Sequence, residues 1–228
     1  MRHPREPVWL FDLDDTLHDA THASMREIRS AMGAYMVREL GISEAECNAL
    51  RTRYWVRYGA TLLGLVRHHG VKAAHFLHHT HVLPGLEARV RGHAADLAAL
   101  RRLPGRKYIL TNAPAVYAGR VLQALGIARV FDGVFSIEDM HLFGDLRPKP
   151  DARMFRALVA KLGVTPGRCV LVEDTLVHQK AARRVGMQTV WMQRWLRDPA
   201  AGHGHQRQRL QRRPAYVDRR VRRLRELI

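Results

Sequence analysis

Asp12 and Asp14 stand two residues apart at the end of the apolar run Val8-Trp9-Leu10-Phe11, and Asp15, Thr16 and Leu17 follow them. An unbroken apolar run of this length predicts a strand buried on both faces, as in a parallel sheet. The end of such a strand is where open α/β folds place their ligands. An Asp-x-Asp pair alone says little, but three further segments carry matching chemistry. Arg106-Lys107-Tyr108-Ile109-Leu110 leads into Thr111 and Asn112, a hydroxyl and an amide at a second strand end. Lys149 lies between Pro148 and Pro150, which stiffen the backbone and lack amide donors. Arg168 to Val172 predicts a third strand, which runs into Glu173, Asp174 and Thr175. Together these side chains supply a nucleophile, a proton donor, a metal site and contacts for phosphate oxygens, the parts needed to move a phosphoryl group.

The elements that must position these groups follow from periodicity. Met25, Ile28, Met32, Tyr35, Met36 and Leu40 recur at helix spacing, with Gly41 as a stop. Ser43 and Glu46 predict a capping box for a helix through Leu50 and Trp55 to Tyr58-Gly59. Further helical pieces reach His81, and Pro84-Gly85 closes them. A helix through Ala95, Leu97 and Leu100 then precedes the strand at Tyr108 to Leu110. Beyond it come a helix from Ala115 to Leu125 and an apolar segment at Val130 to Phe135. A helix follows Lys149, with Met154, Phe155, Leu158, Val159 and Leu162 on one face. The strand at Val170 to Val172, a helix from His178 to Val185 stopped by Gly186, and a strand at Thr189 to Met192 complete the alternation. Pro199 to Pro214 reads as a basic surface loop. Ala215-Tyr216-Val217 and a final helix through Val221, Leu224 and Leu227 return to the sheet edge. The expected fold class is α/β: a Rossmann-like parallel-sheet core, residues 1–17 and 95–228, with a helical cap, residues 18–94, inserted after the first strand.

Length and composition are compatible with one sizeable core plus an inserted subdomain. No apolar stretch approaches a membrane span, and Arg2, Arg5 and Glu6 run straight into the first strand, so no secretory leader is expected. Cys47 and Cys169 are too few for a disulfide framework, which points to a reducing, cytoplasmic setting. The formal net charge is +17, with eleven Arg against three acids from Arg194 onward. Only 5 of the 38 basic residues are Lys, a skew that a GC-rich genome would also produce. No zinc-finger spacing, aromatic-rich basic sheet or basic zipper accompanies the charge. A basic surface that attracts small anionic substrates is therefore preferred to nucleic-acid binding.

Taken together, Asp12-Leu-Asp14-Asp-Thr16, Leu110-Thr111-Asn112, Lys149-Pro150 and Val172-Glu173-Asp174-Thr175 resemble, in order and context, the motifs of the haloacid dehalogenase superfamily. The chain is most similar to its pyrimidine 5′-nucleotidase branch. That likeness rests on Leu110-Thr111-Asn112-Ala113, on Val172 to Thr175, and on the cap stretch from Tyr54 through Tyr58-Gly59 to Gly64-Leu65. The resemblance implies that Asp12 attacks phosphorus and that Asp14 acts as general acid and then base. It implies Mg²⁺ held by the Asp12 carboxylate, the Asp14 main-chain carbonyl and Asp174. Thr111, with Asn112 and the neighbouring backbone, would bind phosphoryl oxygens, and Lys149 would offset the accumulating charge. The implied activity is hydrolysis of a small phosphorylated metabolite, a pyrimidine nucleoside monophosphate (UMP or CMP). A sugar-phosphate or phosphoglycolate phosphatase of the same superfamily is the alternative, and a basic nucleic-acid-binding or regulatory protein on a vestigial fold is a rival from another class. His178 departs from the family pattern four residues after Asp174, where relatives often carry Asp or Asn; it either supports the metal site or only starts the next helix.

In the cap, Tyr54, Trp55 and Tyr58 fit both stacking on a nucleobase and ordinary helix packing, and His68 is placed to face substrate. His75, His78 and His79 share a helical face. No carboxylate or Cys completes a recognisable ligand set around them, so a polar surface is the preferred reading. Cys169 is expected to be inert packing inside its strand, and Glu173 to tune the surroundings of Asp174.

Overall fold

In the computed structural model, which describes residues 6–197 and 212–228, six parallel strands form one sheet. In chain order these and their connections are β1 (Val8–Phe11), α1 (Arg26–Leu40), α2 (Glu44–Tyr58), α3 (Thr61–His69), α4 (Ala73–Thr80), α5 (Leu86–Arg89), α6 (Ala94–Arg102), β2 (Arg106–Leu110) and α7 (Ala115–Ala124). There follow β3 (Gly133–Phe135), the short hairpin β4 (His141–Leu142) and β5 (Asp145–Leu146), α8 (Ala152–Leu162), β6 (Cys169–Glu173), α9 (Leu176–Val185), β7 (Gln188–Met192) and β8 (Arg219–Val221). The sheet order is β3-β2-β1-β6-β7-β8. The chain builds outward from β1 in one direction and then from β6 in the other, so the order reverses between these two central strands. The crevice beyond their carboxyl ends is the ligand position of a doubly wound sheet.

The alternation of side chains explains why β1 and β6 read as continuous apolar runs. Trp9, Phe11, Val170 and Val172 face a cluster shared with Leu100, Leu103, Val121 and Leu122. Val8, Leu10, Cys169 and Leu171 face the opposite cluster, with Phe155, Leu158 and Val159 of α8. Both faces are dry, so both must be apolar.

The helices between β1 and β2 have an apolar cluster of their own, built from Tyr35, Met36, Cys47, Tyr54, Leu62, Leu65, Phe76 and Leu77 and closed by Ile137 and Leu146. Their ends obey the capping rules. Gly41 ends α1 with φ 65°. Ser43 accepts from Glu46 N–H while the Glu46 carboxylate accepts from Ser43 N–H. Gly59 ends α2 against Pro150: a Cβ there would lie 2.6 Å from the proline ring. Only glycine permits that approach, and it seats the Tyr58-Gly59 turn on the loop that carries Lys149.

At the C-terminus the structure corrects the expected helix. Val221 lies in β8, which pairs in parallel with β7, and only the 3₁₀ turn Leu224–Leu227 is helical. Leu224 and Leu227 join the first apolar cluster, and buried Asp96 of α6 accepts from Leu224 N–H (2.9 Å) and Arg194 Nε (2.7 Å). The helix expected from His178 begins at Leu176. Most of the predicted loop from Pro199 to Pro214 lies outside the described residues. Cys47 and Cys169 are free and buried, and burial pushes the Cys169 thiol up to about 11, as inert packing requires. Among the described residues no helix is long and apolar enough to cross a membrane.

Candidate active site

Three strand ends and one constrained loop meet at the switch point. Asp12 follows β1 directly, and its N–H donates to Val172 O of β6 (2.9 Å), so the sheet itself holds its backbone. Glu173 ends β6 and Asp174 follows it. Oxygens of Asp12, Glu173 and Asp174 lie within 4.8 Å of one another. Lys149 enters from the Pro148–Pro150 loop, 1% exposed, and its Nζ donates to Asp12 Oδ1 and Glu173 Oε2, both at 2.7 Å. Glu173 Oε1 accepts from Thr175 N–H (3.1 Å), and His178 Nδ1 lies 3.0 Å from Glu173 Oε2. The residue expected only to tune its neighbours is thus the second anchor of the lysine.

Asn112 contacts the backbone of the lysine loop. Its side chain donates to Lys149 O (2.9 Å) and accepts from Lys149 N–H (3.0 Å), clasping the lysine's backbone to the end of β2. Thr111 is buried beside it, and its hydroxyl oxygen accepts from Ala113 N–H (3.0 Å).

Asp14 is held from two directions. Tyr117 of α7 donates its hydroxyl to Asp14 Oδ1 (2.7 Å), and His18 Nε2 lies 3.0 Å from the same oxygen. His18 is fully buried, and it meets Asp14 through Nε2 alone among the described residues. Ser24 Oγ lies 2.8 Å from the Tyr117 hydroxyl and extends the chain of contacts. Burial, then the Asp14 charge, holds the Tyr117 phenol well above its usual range, so it stays a donor. Asp14 remains one-fifth exposed (20%). Neither Tyr117 nor His18 was expected from the sequence. His18, a polar residue four positions after Asp14, carried a usable signal; Tyr117 looked like any apolar position of α7.

The electrostatics are those of a cluster short of positive charge. Burial pushes the Asp12 carboxyl up to about 8, and Glu173 adds to this while Lys149 opposes it. Asp174 is raised well above its usual range by burial, then by Glu173 and Asp12. Burial also opposes ionisation of Glu173, but Lys149 and then His178 hold it below the ordinary carboxylate range. Burial works against the Lys149 ammonium as well, yet Asp12 and Glu173 keep it charged. One ammonium pairs with two of the three clustered carboxylates, Asp12 and Glu173, and leaves Asp174 without a cation in contact among the described residues. A hard divalent cation bound through Asp12 and Asp174 would supply the missing charge, and an all-oxygen donor set suits it.

Removing the one internal cation should be costly. Lys149→Met keeps the stem volume and leaves Asp12 and Glu173 without a counter-charge, so urea unfolding should show a loss of about 3–5 kcal/mol. An unchanged midpoint would mean that the acids already carry protons in the native protein.

The cap residues singled out from the sequence divide. Tyr54 is buried, its ring against Gly64 and its hydroxyl 2.8 Å from His69 Nε2. Tyr58 is half-buried, with its hydroxyl 2.6 Å from Nε2 of exposed His68. The Arg67 and Arg57 guanidiniums lie 4.9 and 5.4 Å from its ring centroid. A cleft of about 510 Å³ lies elsewhere, lined by Arg220, Arg222, Arg223, Arg225 and Glu226 at the β8 edge. It contains no nucleophile, so the carboxylate geometry and not cleft volume locates the chemistry.

The sequence model of the haloacid dehalogenase-like hydrolase family matches residues 8–186, and the chain belongs to that family. Phosphate metabolism protein 8 of Saccharomyces cerevisiae is 23% identical over 196 residues, which cover 81% of this chain and 60% of that protein. The chain therefore spans about 60% of the length of that curated relative. A HAD phosphatase from Thermococcus onnurineus superposes with a TM-score of 0.60 at 23% identity, over 97% of this chain and 95% of the other. CbbY from Rhodobacter sphaeroides, solved in complex with phosphate, gives 0.60 at 17% identity, over 97% and 96%. At these identities the structural likeness establishes the shared fold.

Proposed function

We propose that the chain is a Mg²⁺-dependent phosphomonoesterase that hydrolyses pyrimidine nucleoside 5′-monophosphates, UMP or CMP, through an aspartyl-phosphate. The observation that carries this reading is the cluster of Asp12, Glu173 and Asp174, two of which, Asp12 and Glu173, share the ammonium of Lys149, with Asp14 held two residues beyond the nucleophile. Asp12 attacks phosphorus and takes the phosphoryl group, splitting a difficult hydrolysis into two steps. Asp14 protonates the leaving alkoxide and then removes a proton from the water that releases phosphate. Lys149 offsets the charge brought together when a carboxylate meets a phosphate dianion, and Thr111 with the adjoining backbone holds phosphoryl oxygens. The Asp12 carboxylate, the Asp14 carbonyl and Asp174 would hold Mg²⁺, which supplies Lewis-acid stabilisation of the transferring group. The name of the yeast relative, which refers to phosphate metabolism, is consistent with this chemistry.

Support for a nucleotide comes from Tyr58 and His68, an accessible aromatic pair beside two arginines, on a turn seated against Pro150. A phosphate-release screen tests the reading: UMP and CMP should be turned over with Mg²⁺, lost with a chelator and recovered on adding Mg²⁺ back. Turnover of sugar phosphates or phosphoglycolate alone would move the substrate and leave the chemistry. Tyr58→Ala should lower kcat/KM for UMP by about five- to 150-fold, since base–aromatic stacking is worth about 1–3 kcal/mol. p-Nitrophenyl phosphate has no pyrimidine to lose, so its loss should be much smaller. Equal losses for both substrates would make Tyr58 a packing residue.

A further inference from the structure

The histidines of α4 take no part in the chemistry above, yet two of them converge. His75 and His79 stand one helical turn apart and bring their Nε2 atoms to 3.0 Å, with ring centroids at 4.4 Å. Both side chains are exposed. A metal bound to two imidazoles at about 2.0–2.1 Å spans an N···N distance of about 3.0 Å when the angle at the metal is roughly 95°. The two nitrogens are thus already spaced as adjacent ligands of one ion.

The surroundings fix one ligand as a metal site requires. His75 Nδ1 lies 2.9 Å from the hydroxyl of Tyr35 on α1. Tyr35 is buried, 3% exposed, and packs edge-on against Phe76 with centroids 5.1 Å apart. With Nδ1–H donating to that fixed oxygen, the Nε2 lone pair of His75 points outward, the usual arrangement of a ligating imidazole.

We propose that His75 and His79 form a two-imidazole binding site for a transition-metal ion of the Zn²⁺ class on α4, with Tyr35 of α1 orienting His75. Imidazole nitrogen donors set this site apart from the oxygen-only cluster at the ends of β1 and β6, which suits a hard cation.

Zinc titration calorimetry of the whole protein in saturating Mg²⁺ tests this, because Mg²⁺ occupies the carboxylate cluster and does not compete for imidazoles. Wild type should take up zinc and gain thermal stability from it. His75→Gln and His79→Gln should each lose one equivalent of zinc and that part of the stabilisation while keeping the metal-free melting temperature. Tyr35→Phe should keep the stoichiometry and weaken binding about tenfold, the scale of a lost supporting contact. The site is refuted if wild type binds no zinc under these conditions, or if His79→Gln binds it with unchanged stoichiometry and affinity.

Discussion

Asp12→Asn should abolish turnover while leaving the protein at least as stable as wild type in the absence of divalent cations. The amide has the shape of the carboxylate and can still accept from Lys149, but it cannot attack phosphorus. Loss of a covalent nucleophile costs about four orders of magnitude or more in kcat. The expectation for stability follows from the site's charge balance. Asp12 and Glu173 share one ammonium with Asp174 alongside, and the Asp12 carboxyl is pushed up to about 8 by burial and by Glu173. Removing one of the crowded charges leaves Lys149 paired with Glu173 at 2.7 Å and relieves repulsion on Asp174. Phosphate-release assays paired with thermal unfolding check both halves. Near-normal release from a folded variant would refute covalent catalysis, and a large drop in melting temperature would show that the Asp12 charge is needed for the fold.

How much of this was legible in the sequence depends on the range of the contacts. β1 and β6 announced themselves because a parallel strand buried on both faces must be apolar throughout, β2 through its apolar end Tyr108 to Leu110, and the residues just past each run then fall at one end of the sheet. Asp12, Thr111 and Asp174 were found that way. The capping box at Ser43 was legible because it closes within four residues. Contacts closed by the fold were not: Tyr117 reaches Asp14 across 103 positions, and nothing in α7 marks that tyrosine as different from its apolar neighbours. The clasp of Asn112 on the backbone of Lys149 was not legible either, because it exists only once β2 lies beside the lysine loop. The C-terminal misreading has a similar cause. Val221, Leu224 and Leu227 recur every three residues, which fits an α-helix on paper. Val221 is in fact spent on a strand held by backbone pairing to β7, and the remaining spacing suits a 3₁₀ turn equally well.

The second large effect concerns Asp14 and separates the two halves of its proposed role. With UMP the leaving group is a basic alkoxide that needs a proton as it departs, so Asp14→Asn should lower turnover by about 10²–10⁴-fold. p-Nitrophenolate departs readily without one, so the same variant should still transfer the phosphoryl group from p-nitrophenyl phosphate to Asp12. It should then stall, because no base remains to activate water. The expected trace is a burst of about one equivalent of p-nitrophenolate per enzyme followed by a much slower steady rate, with phosphate held on the protein. Tyr117 and His18 both engage Oδ1 of Asp14, which positions the carboxyl without taking part in the transfer. Tyr117→Phe keeps the ring and removes one of those contacts, so it should reproduce the pattern in weaker form, with a loss on UMP of about ten- to 100-fold that exceeds the loss on the aryl ester. Equal losses on both substrates would reduce Tyr117 to packing. An Asp14→Asn protein that turns over UMP and the aryl ester in the wild-type ratio, with no burst, would remove Asp14 from proton transfer altogether.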